Sequence, residues 1–293
     1  MFDFCRRVDR HTVNRRSIEA LIRAGAFDLI EPNRAALIAS LATAVEAAEQ
    51  AERSANQVSL FGDDSDDVVN IELAKVPAWD LHTTLMEEKL ALGFFFSAHL
   101  FDAWRDEVRR FASKPLSRLE PLRDLQWIAG VISSSRTMIT RTGAKMMFLV
   151  LDDGSAQIEL GINADMLEKH GNRLREDQLL IVQAKVTNNE YQGGMKVFAE
   201  NIYDLQLARE MRARALRIRL NGNADAAKLK SMLNPFRAAP ENGFPGTPVE
   251  VVYESKQHAC TIRLGEQWRV RLPDTLVEQL STWVAPTDVE VTY

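Results

Sequence analysis

The chain has 293 residues, 46% of them hydrophobic and 26% charged, the make-up of a globular protein with room for two or three domains. Its net charge of −5 excludes a chain that coats nucleic acid over its whole surface, so any such contact has to come from a local basic patch. No apolar run approaches the roughly 18 residues that cross a bilayer, Met1 to Arg10 has no apolar signal-peptide stretch, and the two distant cysteines, Cys5 and Cys260, form no metal or redox motif. A cytoplasmic setting without membrane partners is the expectation.

Residues 1–55 read as helical. The spacing predicts a helix from Thr12 to Ala24, capped by Thr12, with Ile18, Leu21 and Ile22 on one face and Gly25 as its left-handed stop. Arg15 and Arg16 lie off that face. They suit either the phosphate side of half a helix-hairpin-helix or a solvated basic surface. After a break at Glu31-Pro32-Asn33, a second helix runs from Arg34 to about Ala55, with Leu37, Ile38, Leu41, Val45 and Ala48 on its packing stripe.

Residues 56–79 read as a linker. It opens with Gln57-Val58-Ser59-Leu60-Phe61 and continues through Gly62 into the acidic run from Asp63 to Asp67. Leu60 and Phe61 have no local core to enter. They are either anchors for a hydrophobic cleft on a partner, with Gln57 fixing register, or a loop folded back on its own domain. The acidic run lacks the ordered spacing of a calcium loop and reads as a solvated tether.

Residues 80–122 continue the helical module. Thr84 and Glu87 suggest a capping box for a helix that ends at Gly93, and Phe94, Phe95, Phe96, Leu100, Phe101 and Trp104 are expected in the core. Pro115 and Pro121 mark a connection. The hydrophobic period then changes to that of strands. Strands are expected over 127–138, 145–151 and 156–161, a helix over 164–170, and strands over 179–186 and 195–204. That is the order of an OB-fold barrel, assigned here to residues 123–205. Asp152-Asp153-Gly154 reads as a turn, not a metal site, because adjacent strand residues point to opposite faces.

Such a barrel binds single strands across its second and third strands, between two bounding loops. The candidate nucleic-acid contacts are Arg136, Arg141 and Lys145 around the first loop, and Lys185, Tyr191 and Lys196 around the second. Phe148 is a candidate stacking ring. Alternation leaves both Phe148 and Phe198 facing either the core or the outside. Residues 206–293 read as a small α/β domain with a mostly antiparallel sheet. Its strands are expected over 215–220, 249–254, 259–264, 268–272 and 288–293, and its helices over 224–233 and 273–283. Trp268 and Trp283 are expected in its core. The fold class is a multidomain α+β protein: helical module, OB barrel, small α/β domain.

Gln57-Val58-Ser59-Leu60-Phe61 resembles the pentapeptide by which bacterial proteins bind the sliding clamp. With the Asn14 to Asp28 stretch before it and Glu87-Glu88-Lys89-Leu90-Ala91-Leu92-Gly93-Phe94 after it, the chain resembles the C-terminal region of the bacterial DNA polymerase III alpha subunit. Ala98 and Leu100 stand where that family has Gly and Pro. The resemblance implies clamp contact through residues 57–61, single-stranded or primed template contact through the barrel, and docking of the clamp-loader tau subunit by the last domain. It also implies that the catalytic palm lies outside this chain. The residues supply no phosphate-binding Gly-rich loop and no trusted carboxylate pair, so no catalytic residue, metal site or cofactor is assigned. Magnesium is expected only for the catalytic part. The competing reading is a free-standing OB-fold protein that binds single-stranded DNA or tRNA without a clamp.

Overall fold

The structure, a computed structural model, describes residues 1–9, 12–56, 72–140, 143–189, 193–221, 225–238, 245–254 and 259–293. Residues Gln57 to Phe61, the acidic run, Arg141 and Tyr191 lie outside the described residues. The chain divides into two compact units, Met1–Ala103 and Trp104–Tyr293.

The first unit is built on α1 (Phe2–Arg7), α2 (Arg15–Arg23), α3 (Arg34–Asn56) and α4 (Leu81–Leu92). Ile18 and Ile22 of α2 meet Leu37, Leu41, Ala44 and Ala48 of α3 in one core with Cys5 and Phe27. The expected stripe of α3 is therefore its packing face, with Ile38 and Val45 at the margin. Both expected N-caps need correction. Asn14, not Thr12, caps α2 by accepting from the Ser17 amide at 3.0 Å, because the Thr12 hydroxyl is donated to Asp9 instead. Asp80, not Thr84, caps α4 by accepting from the Thr83 amide at 2.8 Å, and Glu87 pairs with Arg23.

A buried ion cluster sets the turns of this unit. Arg34 donates to Asp28 through Nε and Nη2 at 2.8 and 2.6 Å, and to Glu88 through Nη1 at 2.9 Å. Gly25 has φ +81°, and a Cβ there would strike the Arg34 guanidinium, so glycine is required twice over. Glu88 is fully buried and accepts from the Phe96 amide, the Ser97 amide and the Ser97 hydroxyl. Burial pushes its carboxyl up, but Ser97, the Phe96 amide and Arg34 outweigh this and hold it below the usual carboxylate range. This turn corrects the expected aromatic core. Leu100 and Phe101 are buried, whereas Phe94 and Phe96 are 55% and 72% exposed.

The second unit begins with α5 (Arg105–Val108) and holds the barrel. Its strands are β1 (Gln126–Ile139), β2 (Lys145–Asp152), β3 (Gln157–Ile162), β4 (Leu179–Asn188) and β5 (Met195–Tyr203), with α6 (Ala164–His170) between β3 and β4. They close in the order β1-β2-β3-β5-β4, the OB topology. Ile128, Ile132, Leu149, Leu151, Leu160, Val182 and Val186 fill the interior. Leu116 and Leu119 belong to the same core, and the compact unit that holds the barrel begins at Trp104, inside the residues 80–122 that were expected to continue the helical module. Asp153 fastens that segment. It is fully buried and accepts from the Leu116 amide at 2.9 Å, the Ser155 hydroxyl at 2.6 Å and Arg109.

After α7 (Leu205–Arg212) come β6 (Ala215–Asn221), α8 (Ala226–Leu233), β7 (Val249–Glu254), β8 (Ala259–Arg263), α9 (Asp274–Trp283) and β9 (Val289–Thr292). The sheet order is β8-β7-β6-β9. Only the β6–β7 pairing is parallel. Leu229, Leu233, Leu276 and Leu280 cover one face of the sheet, with Trp268 and Trp283 packed at the edge of that core. Residues 268–272 do not form the expected strand. A 3-10 turn spans Glu266–Trp268, and Val270 alone bridges Arg237 and Thr247. Buried Arg209 on α7 ties α5 to the start of α9, pairing with Glu107 and Asp274 and donating to the Leu272 carbonyl at 2.8 Å.

Candidate nucleic-acid interface

Strand alternation decides which barrel side chains look outward. Leu149, Leu160, Ala184, Val186, Val197 and Ala199 are buried in the core, so Phe148, Gly161, Lys185 and Phe198 face the other way. Pairing then sets them in one row. Arg136 on β1 is opposite Phe148 on β2, Phe148 opposite Gly161 on β3, Gly161 opposite Phe198 on β5, and Phe198 opposite Lys185 on β4. The row reads cation, ring, glycine, ring, cation. With strands about 4.8 Å apart, the α-carbons of its two aromatic residues are roughly 10 Å apart.

Gly161 makes the row possible. A Cβ at this position would collide with the Phe198 ring, which lies over the backbone there. The Arg136 guanidinium sits 4.8 Å from the Phe148 ring centroid and pairs with Glu159 at 2.6 Å. It is held in place by a ring below and a carboxylate beside it. Lys185 is exposed and has no ion-pair partner among the described residues. Lys196 lies two residues from Phe198 on β5, opposite Thr187 and on the same face. Met138 and Met146 are paired on the β1–β2 hairpin beyond Arg136, which adds a soft apolar border.

Of the sequence-predicted contacts, Arg136, Phe148, Lys185 and Lys196 are thus brought together. Lys145 is not. It lies three residues from Phe148 on the same strand, opposite Ile139, and so faces the other side. Arg15 and Arg16 are exposed in the first turn of α2, in the other unit. Gly161 was missed and the facing of Phe198 was left open, because a strand's facing is fixed only by its pairing register. A second aromatic group on the barrel is already occupied. Trp127 stacks on Tyr203 at 4.7 Å and meets Phe111 edge-on at 6.3 Å. The Tyr203 hydroxyl donates to Gln183 at 2.8 Å, and burial raises its pKa.

Neither unit shows a cluster of His, Cys, Asp and Glu that could hold a metal among the described residues. No described helix is long and apolar enough to cross a membrane.

A closed five-stranded barrel with an outward row of rings and cations defines a protein of the OB-fold class. Residues 126–205 match the family described as "OB-fold nucleic acid binding domain", and residues 1–37 match the helix-hairpin-helix motif. Residues 228–284 match the family "DNA polymerase III subunit alpha, C-terminal domain". Over its whole length the chain is 35% identical to DNA polymerase III subunit alpha of Neisseria meningitidis serogroup A, covering 25% of that protein. It is 33% identical to the Vibrio cholerae subunit, covering 26%, and 32% identical to that of Escherichia coli strain K12, also covering 26%. The chain is homologous to the C-terminal region of the DNA polymerase III alpha subunit, and it spans about a quarter of the length of these relatives. Among solved structures, the second OB-fold domain of replication protein A from Methanococcus maripaludis aligns with 32% of this chain at 15% identity and a TM-score of 0.25.

Proposed function

We propose that this chain is the non-catalytic C-terminal part of a bacterial replicative polymerase. In this reading the barrel holds single-stranded template DNA, Gln57 to Phe61 tether the sliding clamp, and the C-terminal domain docks the tau subunit of the clamp loader, together supporting processive replication. The observation that carries it is the row Arg136-Phe148-Gly161-Phe198-Lys185. Bases stack on rings whatever their sequence, and flanking cations neutralise the phosphates between them. The test is anisotropy titration of labelled oligo-dT. Stacking is worth about 1–3 kcal/mol per base, so Phe148→Ala with Phe198→Ala should weaken binding at least tenfold. Unchanged affinity overturns the barrel's assignment.

The tether has its own logic. A flexible connection can raise the local concentration of a linked group to about millimolar, so a peptide of modest affinity suffices to keep a polymerase at its template. Leu60→Ala with Phe61→Ala should abolish capture of purified clamp and leave oligo-dT binding intact. Clamp capture that survives the change removes the tether. A chain that binds oligo-dT but never the clamp is the free-standing single-strand binder instead. On a primed template with magnesium the chain by itself should incorporate no nucleotide, and measurable incorporation would contradict the placement of catalysis elsewhere.

A further inference from the structure

The face of the C-terminal sheet opposite α8 and α9 carries a second cross-strand row. Arg263 on β8 is opposite Glu250 on β7, Glu250 opposite Arg217 on β6, and Arg217 opposite Glu290 on β9. The near end of this face forms an open pocket of about 660 Å³ lined by Arg214, Arg217, Arg263 and Arg269, with Glu210 and Glu250 as its acids. Both acids are engaged. Glu210 accepts from the Leu272 amide at 3.0 Å and from Arg271 and Gln206, and Glu250 pairs with Arg217 at 3.2 Å. Arg269 is held by Glu266 and by the Gly246 carbonyl at 3.0 Å. Arg214 and Arg263 make no direct ion pair among the described residues, although the Arg263 charge, after Arg269, helps hold the Glu266 carboxyl below its usual range. In a chain of net charge −5, this is a local surplus of positive charge.

The pocket adjoins an open sheet edge. Leu264 donates its amide to the Val249 carbonyl, so in the antiparallel β7–β8 pair Ile262 and Cys260 point their backbone groups at β7. Ala259, Thr261 and Arg263 then point theirs outward, and these have no partner among the described residues. All five residues of β8 are exposed. Ile262, on the helix side, is 52% exposed. The opposite edge is different: Arg110 donates to the outward Val291 carbonyl of β9 at 3.2 Å. Among the described residues one edge is thus closed by a side chain and the other has no partner, with an exposed isoleucine on one side of it and arginines without a direct ion pair on the other.

We propose that the β8 edge and the arginine pocket beside it dock an extended acidic peptide of a partner protein. The peptide adds a strand to β8, its acidic side chains meet Arg263 and Arg214, and its alternate apolar side chains cover Ile262. Nucleic acid fits this place less well because the pocket offers no free ring. Tyr293 also lines it, but its ring packs on Phe111 at 5.6 Å and its hydroxyl is donated to Glu107 at 2.9 Å. The proposal rests on the reading of the C-terminal domain as a docking module.

The experiment titrates the full chain with a fluorescein-labelled peptide of alternating glutamate and valine. Binding should saturate. It should weaken about tenfold in Arg214→Ala with Arg263→Ala, the loss expected for charge-assisted hydrogen bonds. It should weaken comparably when alternate peptide nitrogens are methylated, a change that leaves the protein untouched. Binding that never saturates, or that ignores methylation, overturns the site. So does displacement of the peptide by oligo-dT in a chain carrying Phe148→Ala and Phe198→Ala. Purified tau separates this failure from failure of the docking reading. Tau bound equally by wild type and the arginine variant overturns this site and leaves docking in place, whereas tau bound by neither removes the docking reading itself.

Discussion

The barrel and the C-terminal sheet each carry one cross-strand row on the face turned away from the core. In the barrel the row places rings inside and cations outside, around a glycine. In the sheet it alternates arginine and glutamate with no ring at all. Rings with flanking cations fit a strand of bases and phosphates. Alternating charge beside a pocket with more arginines than glutamates fits a flexible acidic chain. The pairing geometry is shared by the two faces, and the side chains on the row decide what each can hold.

The largest expected effect separates the barrel's stability from its row. Asp153→Ala removes a buried carboxylate that holds the Leu116 amide, Ser155 and Arg109, and should cost about 3 kcal/mol in urea unfolding. Burial raises this carboxyl, but the Ser155 hydroxyl, the Leu116 amide and Arg109 bring it down from 3.8 to about 2. A depressed acid stabilises the fold above its unfolded pKa and loses that contribution as pH falls through its folded one. The wild-type acid limb should therefore steepen between 3.8 and about 2, and Asp153→Asn should flatten it. Oligo-dT affinity at neutral pH should not follow the stability loss. If it does, the row is not what binds.

Gly161→Ala strikes the row itself. Its Cβ would collide with the Phe198 ring, so overpacking of about 1–3 kcal/mol should appear together with roughly tenfold weaker oligo-dT binding. Peptide binding at β8 should be unaffected, and a common loss at both sites would break the comparison. Lys185→Ala should lower the salt dependence of oligo-dT binding by about 0.7 in log–log slope, the value for one phosphate contact on a single strand. The smallest effect is expected at Glu159, which pairs with Arg136 at 2.6 Å on the surface. Exposed pairs are worth about 0–1 kcal/mol, so Glu159→Ala should free Arg136 and tighten oligo-dT binding by at most about fivefold.

Much of this molecule was legible before its fold. Alternation and turn residues placed the barrel strands near their ends, and the packing stripe from Leu37 to Ala48 was read correctly because a helix repeats its face every few residues. Caps were less legible. Asn14 and Asp80 outcompeted nearby threonines whose hydroxyls found other partners. Phe94 and Phe96 were misplaced because their direction follows from Glu88, which takes the Phe96 amide in a buried cluster with Arg34.

The sequence determined by itself that the chain has a helical part, a barrel and a small α/β part, because local periodicity and turn chemistry act over neighbouring residues. It also placed basic and aromatic residues on the barrel strands, and Arg136, Phe148, Lys185 and Lys196 emerged as part of one face. Only the tertiary structure decided that Gly161 lies between two outward rings and that Lys145 faces away. It alone left the β8 edge without a backbone partner among the described residues while Arg110 donates to β9. Such relations depend on register between strands distant in the chain, and a shift of one residue would exchange every inward and outward side chain.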